Sequence, residues 1–157
     1  MYQSTKILEL GSCAFRQWRA EGTHCKYLHG YKLQAKLWFG CTNLDDRNWV
    51  INFGGLKELK TTLQAFYDHK TVVAETDPLL PMFRELHAMG GCRLVVVPEV
   101  GIEKTAEHVY EVSQRFVDIE SHGRCWVSKV EVWEHELNSA IYIPSKGDPF
   151  KYFPTHE

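Results

Sequence analysis

Several features are missing from this 157-residue chain, and each absence excludes a class of protein. The five cysteines are odd in number and contain no Cys-x-x-Cys pair, so neither a disulfide framework nor a cysteine-based zinc knuckle is indicated. No apolar run approaches membrane-spanning length, and the first residues lack the apolar core of a signal peptide. A formal net charge of −2 provides no concentrated basic surface for phosphates. We therefore expect a cytoplasmic protein with reduced thiols that binds neither membrane nor nucleic acid.

The composition is that of a folded domain. Hydrophobic residues make up 44% of the chain and charged residues 24%, which is typical of globular proteins. The length suffices to bury a core without disulfides or metals. No repeat, linker or low-complexity segment interrupts the chain. We expect one domain over residues 1–157, of which 144–157 form a C-terminal tail.

The hydrophobic pattern predicts an α+β domain. Alternating or short apolar runs indicate strands, and Leu56, Leu59, Leu63 and Phe66 recur at helical spacing. The predicted strands are 6–15, 31–42, 49–53, 94–97, 125–133 and 140–143, and the predicted helices are about 56–66, 78–89 and 105–120. This order favours an antiparallel sheet with helices packed on one face. Such a sheet has open edges, and pairing of those edges between subunits would cover them.

One group of residues carries candidate chemistry. Cys25 precedes His29 by four residues, and an Asp68-His69 pair follows about forty residues later. Cys25 would be a nucleophile or proton carrier if His69 lowered the pKa of its thiol, and Asp68 would orient the imidazole. The alternative is a small buried cysteine with structural histidines. The remaining histidines, His87, His108, His122, His135 and His156, are predicted to be solvated.

Six short motifs in a fixed order resemble one protein family. The order and spacing, from about Lys6 to Ile143, are similar to 6-pyruvoyl-tetrahydropterin synthase and its bacterial relative 6-carboxytetrahydropterin synthase. The motifs are Phe15, Cys25-x-x-x-His29-Gly30, Val50-Ile51-Asn52-Phe53 with Leu56-Lys57, Asp68-His69, Thr105-x-Glu107 and Glu134.

The resemblance implies a fold, an assembly and a substrate. It implies the tunnelling fold (T-fold), in which subunits join their sheets into a barrel, as a homohexamer of two trimers with active sites at the interfaces. The implied substrate is 7,8-dihydroneopterin triphosphate, from which a lyase expels triphosphate or remodels the C6 side chain. The products of such enzymes enter pterin synthesis or the synthesis of queuosine and other 7-deazaguanines.

The resemblance also implies residue roles. Cys25 would be the proton-transferring thiol, Asp68 and His69 its relay, and Glu134 the anchor of the pterin ring. A pterin presents a ring N–H beside an exocyclic amine, and one carboxylate can accept both hydrogen bonds. Without the resemblance, Glu134 would be a solvated acid at a strand end.

Three further positions are open to two interpretations. Thr105 and Glu107 lie either near the pterin pocket or simply at a helix N-terminus, as a capping hydroxyl and a first-turn acid. Asn52 is predicted to have a structural role through a side-chain hydrogen bond to backbone. The segment Val72–Glu99 is longer than the resemblance implies, and either caps the site or adds a contact between subunits.

The chain departs from the resemblance at the metal. Family members bind zinc through three histidines, but Arg19 and Tyr31 replace two of them and only His29 remains. An imidazole alone does not hold zinc, which takes three or four protein ligands. In one interpretation the zinc is lost and Arg19 supplies a fixed cation for an oxyanion, a carboxylate or a phosphate. In the other, His24 joins His29 and a group such as Tyr31 to keep a metal.

Three functions therefore remain open. The first is a lyase resembling 6-carboxytetrahydropterin synthase. The second is a related enzyme on the same substrate class that no longer depends on metal. The third is a non-catalytic pterin- or purine-binding T-fold protein that keeps the scaffold and the anchor.

Overall fold

The computed structural model describes residues 1–145 of the chain. The predicted tail, 144–157, lies outside the described residues except for its first two positions. Six strands and three α-helices form in the order β1 Tyr2–Phe15, β2 His29–Cys41, α1 Leu56–Tyr67, β3 Lys70–Ala74, α2 Leu80–Ala88, β4 Leu94–Val97, α3 Ile102–Ser121, β5 Cys125–His135 and β6 Asn138–Tyr142. None of the helices within 1–145 is long and apolar enough to cross a membrane.

The six strands form one mixed sheet in the order β4-β3-β1-β2-β5-β6. The pairs β1–β2, β2–β5 and β5–β6 are antiparallel, whereas β1–β3 and β3–β4 are parallel. The prediction of a wholly antiparallel sheet is therefore wrong on the β3–β4 side. Because α2 connects β3 to β4, the chain returns in the same direction there, and a helical crossover produces parallel pairing.

The core lies between one face of the sheet and helices α1 and α3. On β2 the alternation predicts the buried face, since Leu33, Ala35, Leu37 and Phe39 are all buried. The stripe of α1 packs on this face through Leu56, Leu59 and Leu63, and α3 contributes Ala106, Val109 and Val117. The α+β class is confirmed, and α1 and α3 lie on this face of the sheet. Helix α2 lies on the other face, because its Leu80 and Phe83 pack with Val73 in a separate cluster whereas Val72 belongs to the main core, so the prediction of helices on one face holds only for α1 and α3.

The predicted third strand, 49–53, does not form. Val50 and Ile51 are buried without joining the sheet. The Val50 carbonyl accepts a hydrogen bond from Arg124 Nη2 at 2.7 Å, so a side chain satisfies an acceptor that a neighbouring strand would otherwise pair. Asn52 has the structural role predicted for it, because its side chain accepts from the Gly54 N–H at 3.0 Å and caps the short 3₁₀ helix Phe53–Gly55.

Two further corrections concern β3 and the start of α3. The sequence did not predict β3, whose residues Thr71 to Ala74 are all buried and show no alternation. The helix α3 begins at Ile102, so Thr105 lies within its first turn and donates to the Gly101 carbonyl at 3.1 Å. The predicted N-capping role of Thr105 is therefore wrong.

Candidate functional site

The Asp68-His69 pair is held against a bulge in β1. At Gly11 the register of β1 against β2 shifts, and Gly11 adopts a φ of 98° that side chains rarely tolerate. Asp68 ends α1 and accepts from the Ser12 N–H at 3.1 Å, while the His69 N–H donates to the Ser12 carbonyl at 2.6 Å. A Cβ at Gly11 would collide with the Asp68 carboxylate. The glycine thus makes room for the acid.

Asp68 also fixes the His69 ring. His69 Nδ1 lies 2.8 Å from Asp68 Oδ1, and the His69 side chain is 76% exposed. A carboxylate on Nδ1 holds the imidazole so that Nε2 is the nitrogen available to another group. The geometry is that of an oriented imidazole on the protein surface.

Cys25 is an exposed residue of the segment between β1 and β2. It belongs to a short 3₁₀ helix, His24–Lys26, that follows a loop after β1. Its backbone is fixed on both sides, because its N–H donates to Thr23 Oγ1 at 3.2 Å and its carbonyl accepts from the Gln17 N–H at 2.8 Å. Within residues 1–145 of one chain, no hydrogen bond, ion pair or ring contact joins Cys25 to the Asp68-His69 pair.

A buried ion pair that the sequence did not predict holds the Cys25 loop. Arg16 donates to Asp77 through Nε at 2.7 Å and Nη2 at 2.9 Å. Asp77 is fully buried and also accepts from the Leu79 N–H at 2.8 Å. Burial alone would raise the pKa of Asp77, but these hydrogen bonds outweigh it and lower the pKa below its ordinary value. Arg16 Nη1 also reaches the Lys26 carbonyl at 3.3 Å, which couples the pair to the residue after Cys25.

The Tyr31 phenol is influenced by the charges of both Cys25 and Glu134. Its pKa is raised first by burial, then by the charge of Glu134 and that of Cys25, so the phenol stays protonated at neutral pH. The Tyr31 ring also lies 5.3 Å from the His29 ring and 5.7 Å from the His135 ring. Two of the predicted site residues, Cys25 and Glu134, therefore act electrostatically on the same phenol, although no hydrogen bond joins either of them to Tyr31 within residues 1–145. His135, which was predicted to be solvated, is exposed, and its ring lies beside that of Tyr31.

The residues at the expected zinc position do not fit the metal. His29 has its Nδ1 within 2.6 Å of the Tyr27 carbonyl, and its ring packs edge-on against Phe15 at 5.0 Å. Across the described part of the chain, no three histidine, cysteine, aspartate or glutamate side chains are grouped to hold a metal ion. Of the alternative set, His24 and His29 are two such side chains, fewer than the three or four ligands that zinc takes.

A cavity of about 430 Å³ lies between the sheet and helices α1 and α3. Its wall contains three of the predicted substrate-binding residues, Arg19, Thr105 and Glu107. The end of the Val72–Glu99 segment also contributes to the wall, through Val97, Pro98 and Glu99. That segment therefore borders the cavity, and whether it caps the site or adds a contact between subunits stays a prediction.

Three charged groups of this wall, Lys104, Glu99 and Glu107, lie together, and a thiol there is neutral. Lys104 donates to Glu107 at 2.8 Å and lies 3.6 Å from Glu99, and the hydrogen bond to Glu107 raises the pKa of Lys104. Burial raises the pKa of the Cys13 thiol to about 12. Phe15 lines the cavity, and its ring lies 6.0 Å from the ring of Tyr31. The cavity and the Tyr31 group are therefore neighbours, although Glu134 does not line the cavity.

Comparisons with known proteins agree with this geometry. The sequence model of the family described as 6-pyruvoyl tetrahydropterin synthase matches residues 11–145. The fold is similar to that of an uncharacterised protein from Wolinella succinogenes, at 21% identity and a TM-score of 0.76 over 92% of this chain and 98% of that chain. No curated protein matches the chain in sequence.

Two solved synthases share the same fold at lower identity. The 6-pyruvoyl tetrahydropterin synthase of Plasmodium vivax is 17% identical, with a TM-score of 0.66 over 90% of this chain and 98% of that chain. The enzyme of Caenorhabditis elegans is 16% identical, with a TM-score of 0.62 over 92% and 96%. The arrangement of sheet and helices is thus the tunnelling fold of these synthases.

Proposed function

Because the chain belongs to the 6-pyruvoyl tetrahydropterin synthase family, we propose that it is a lyase that acts on 7,8-dihydroneopterin triphosphate. The reaction resembles that of 6-carboxytetrahydropterin synthase and supplies a precursor of queuosine, of other 7-deazaguanines or of a pterin. The observation that best supports this proposal is the family match over residues 11–145 together with the presence of both Glu134 and Cys25 in the chain. A carboxylate for the ring and a thiol for the side chain are the two groups that the reaction needs.

Glu134 supplies the anchor in this proposal. Its carboxylate accepts the ring N–H and the exocyclic amine of the pterin, a bidentate arrangement that fixes the plane and direction of the ring. Glu134 lies close to the end of β5, at a shift in the register with β6, and its neighbours Trp133 and His135 are both paired with β6. A rigid support of this kind keeps the anchored ring in one orientation.

Cys25 and Tyr31 act on the C6 side chain. The Cys25 thiolate takes a proton from the side-chain carbon next to the one that bears the triphosphate. The electron pair left behind forms a carbon–carbon double bond, and triphosphate leaves with the electrons of the broken C–O bond. The protonated Tyr31 phenol donates a hydrogen bond to a side-chain oxygen on which charge develops. No step passes through zinc, because the residues present do not fit it.

We place the Asp68-His69 pair in the site of a neighbouring subunit. The His69 ring is exposed and oriented, yet it has no contact with Cys25 of its own chain within residues 1–145. Both outer strands of the sheet, β4 and β6, have one edge that no other strand of residues 1–145 pairs. Edge pairing in a homohexamer of two trimers would cover those edges and bring His69 to Cys25 of the partner subunit, where it would receive the proton.

The experiment is incubation with 7,8-dihydroneopterin triphosphate, with and without added zinc, while triphosphate release and the C6 product are followed. Wild type should release triphosphate in both conditions, and Cys25→Ala should not. Cys92→Ala is the matched control, because Cys92 lies between α2 and β4, away from Tyr31, and should keep full activity. If wild type bound the compound but left it intact, the lyase proposal would be wrong.

The assembly is tested with the same assay. Sedimentation should show a homohexamer, and mixing inactive Cys25→Ala with inactive His69→Ala subunits should restore part of the activity, since some interfaces then combine an intact thiol with an intact imidazole. A fully active monomer would contradict the shared site.

A non-catalytic pterin-binding protein is the second candidate. The observation that favours it is the replacement of two zinc histidines by Arg19 and Tyr31 while the Glu134 anchor stays in place. It predicts that the pterin ring binds with equal affinity to wild type and to Cys25→Ala, with no triphosphate released by either.

A further inference from the structure

A buried hydrogen bond between α1 and α3 lies in the wall of the 430 Å³ cavity. The Tyr67 hydroxyl is 2.6 Å from His108 Nδ1. Both residues line the cavity, and the Phe66 ring packs against the His108 ring at 4.3 Å. The sequence predicts a solvated His108, and this prediction is wrong. His108 is instead half-buried between two aromatic rings and has one ring nitrogen already engaged.

Two observations give the direction of this hydrogen bond. Tyr67 is only 3% exposed, and its hydroxyl has no second partner among residues 1–145. If His108 donated from Nδ1, the buried Tyr67 proton would be left without an acceptor, which is costly. Burial raises the pKa of Tyr67 and lowers that of His108, so both groups are neutral at pH 7. Tyr67 therefore donates, and His108 Nδ1 accepts.

We infer that Tyr67 locks His108 as its Nε2–H tautomer, so that this wall of the cavity selects ligands that present a hydrogen-bond acceptor. A neutral imidazole has one donor and one acceptor nitrogen, and the acceptor is used by Tyr67. Any hydrogen bond from His108 to a molecule in the cavity must then be donated by Nε2. This makes His108 a specificity-determining residue.

The inference rests on the proposed function for the identity of the ligand. A pterin has a donor edge, formed by its ring N–H and 2-amino group, and the adjacent 4-oxo group is an acceptor. When Glu134, which lies outside the cavity beside the Tyr31 group, holds the donor edge, the adjacent 4-oxo group is the pterin atom that a donor in the neighbouring cavity wall would meet. Thr105 and His108 lie three residues apart on one face of α3 and both line the cavity, so this face supplies the recognition.

The test compares two probes that differ at this one position. Neopterin has the 4-oxo acceptor, and the corresponding 2,4-diaminopteridine has a 4-amino donor instead. The ratio of their Kd values is measured for wild type, Tyr67→Phe and His108→Gln. In Tyr67→Phe the His108 ring can adopt either neutral tautomer, and in His108→Gln the amide can rotate to present a donor or an acceptor. In both variants the ratio of Kd values that favours neopterin should therefore fall about tenfold. Tyr2→Phe is the matched control, because it removes an exposed hydroxyl from β1 outside the cavity.

A second measurement needs no ligand and separates the lock from the proposed function. The ¹⁵N chemical shifts of the His108 ring, assigned by their loss in His108→Gln, should show a single neutral Nε2–H tautomer in wild type and a mixture in Tyr67→Phe. An Nδ1–H ring in wild type, or equal probe ratios in wild type and Tyr67→Phe, would overturn the inference while leaving the lyase proposal intact. If wild type bound neither probe, the proposed function would be wrong, and the ring shifts would still decide whether Tyr67 sets the tautomer.

Discussion

Replacing Asp77 by asparagine should destabilise the protein and slow the reaction together. The side chain of Asp77 has no solvent exposure and that of Arg16 is 17% exposed, and the two form paired hydrogen bonds of 2.7 and 2.9 Å. Asparagine keeps an acceptor for the Leu79 N–H but turns an N–H₂ group or a neutral oxygen towards the guanidinium. Removing one partner of a buried pair costs about 3 to 5 kcal/mol. Arg16 stays partly solvated and keeps its hydrogen bond to the Lys26 carbonyl. We therefore expect the free energy of unfolding to fall by about 3 kcal/mol, at the lower end of this range.

That loss should be visible in thermal unfolding. For a domain of this size, about 3 kcal/mol corresponds to a decrease of about 6 to 12 °C in Tm. The matched control is Glu21→Gln, which breaks the exposed 3.3 Å pair with Lys26 in the same loop and should leave Tm almost unchanged. Since Arg16 also holds the backbone beside Cys25, kcat of Asp77→Asn should fall about tenfold or more.

The pH dependence follows from the direction of the pKa shift. The pKa of Asp77 is lower in the folded protein than its ordinary value, so the ionised carboxylate contributes stability above that ordinary value of about 4. The contribution is lost as the pH falls through the folded-state pKa. The difference in unfolding free energy between wild type and Asp77→Asn should therefore be constant above about pH 5 and shrink below about pH 4. An unchanged Tm, or a difference that does not respond to acid, would refute this reasoning.

Three further changes can be tested in the same protein. Gly11→Ala should lower the free energy of unfolding by about 1 to 3 kcal/mol and decrease activity, because a methyl group at positive φ meets the Asp68 carboxylate. A crystal structure of this variant with Asp68 unmoved would contradict the reasoning. Tyr31→Phe should decrease kcat more than it raises KM, because the phenol is proposed to donate a hydrogen bond to the substrate only as charge develops on its side-chain oxygen. A change in KM alone, measured by steady-state kinetics, would mean that Tyr31 only binds the substrate. Iodoacetamide at pH 8 should label exposed Cys25 much faster than buried Cys13, whose pKa is about 12, and peptide mass spectrometry reads the difference.

Part of the fold follows from local patterns in the chain. The alternation in β2 and the helical stripe of α1 predict which residues are buried, because each pattern reports the repeat of its own element. The segment 49–53 has a similar apolar pattern and yet forms no strand. Its carbonyls are satisfied by Arg124, which lies more than seventy residues away in the sequence, and no local pattern carries that information.

Part of the candidate site also follows from the sequence, and part does not. The motif order predicts the family and indicates Cys25, Asp68, His69 and Glu134 as the chemical groups. It does not indicate which of these groups make direct contacts with one another in one chain.

The sequence by itself determined the family, the α+β class and the kinds of side chain available for chemistry, because these depend on residue identity and on short spacings. Only the tertiary structure decided which of those side chains meet. Arg16 and Asp77 are 61 residues apart, and Tyr67 and His108 are 41 apart, and each pair forms because β1, α1, β3 and α3 pack against one another. The burial created by that packing then sets the pKa values and the tautomer, which no residue has on its own.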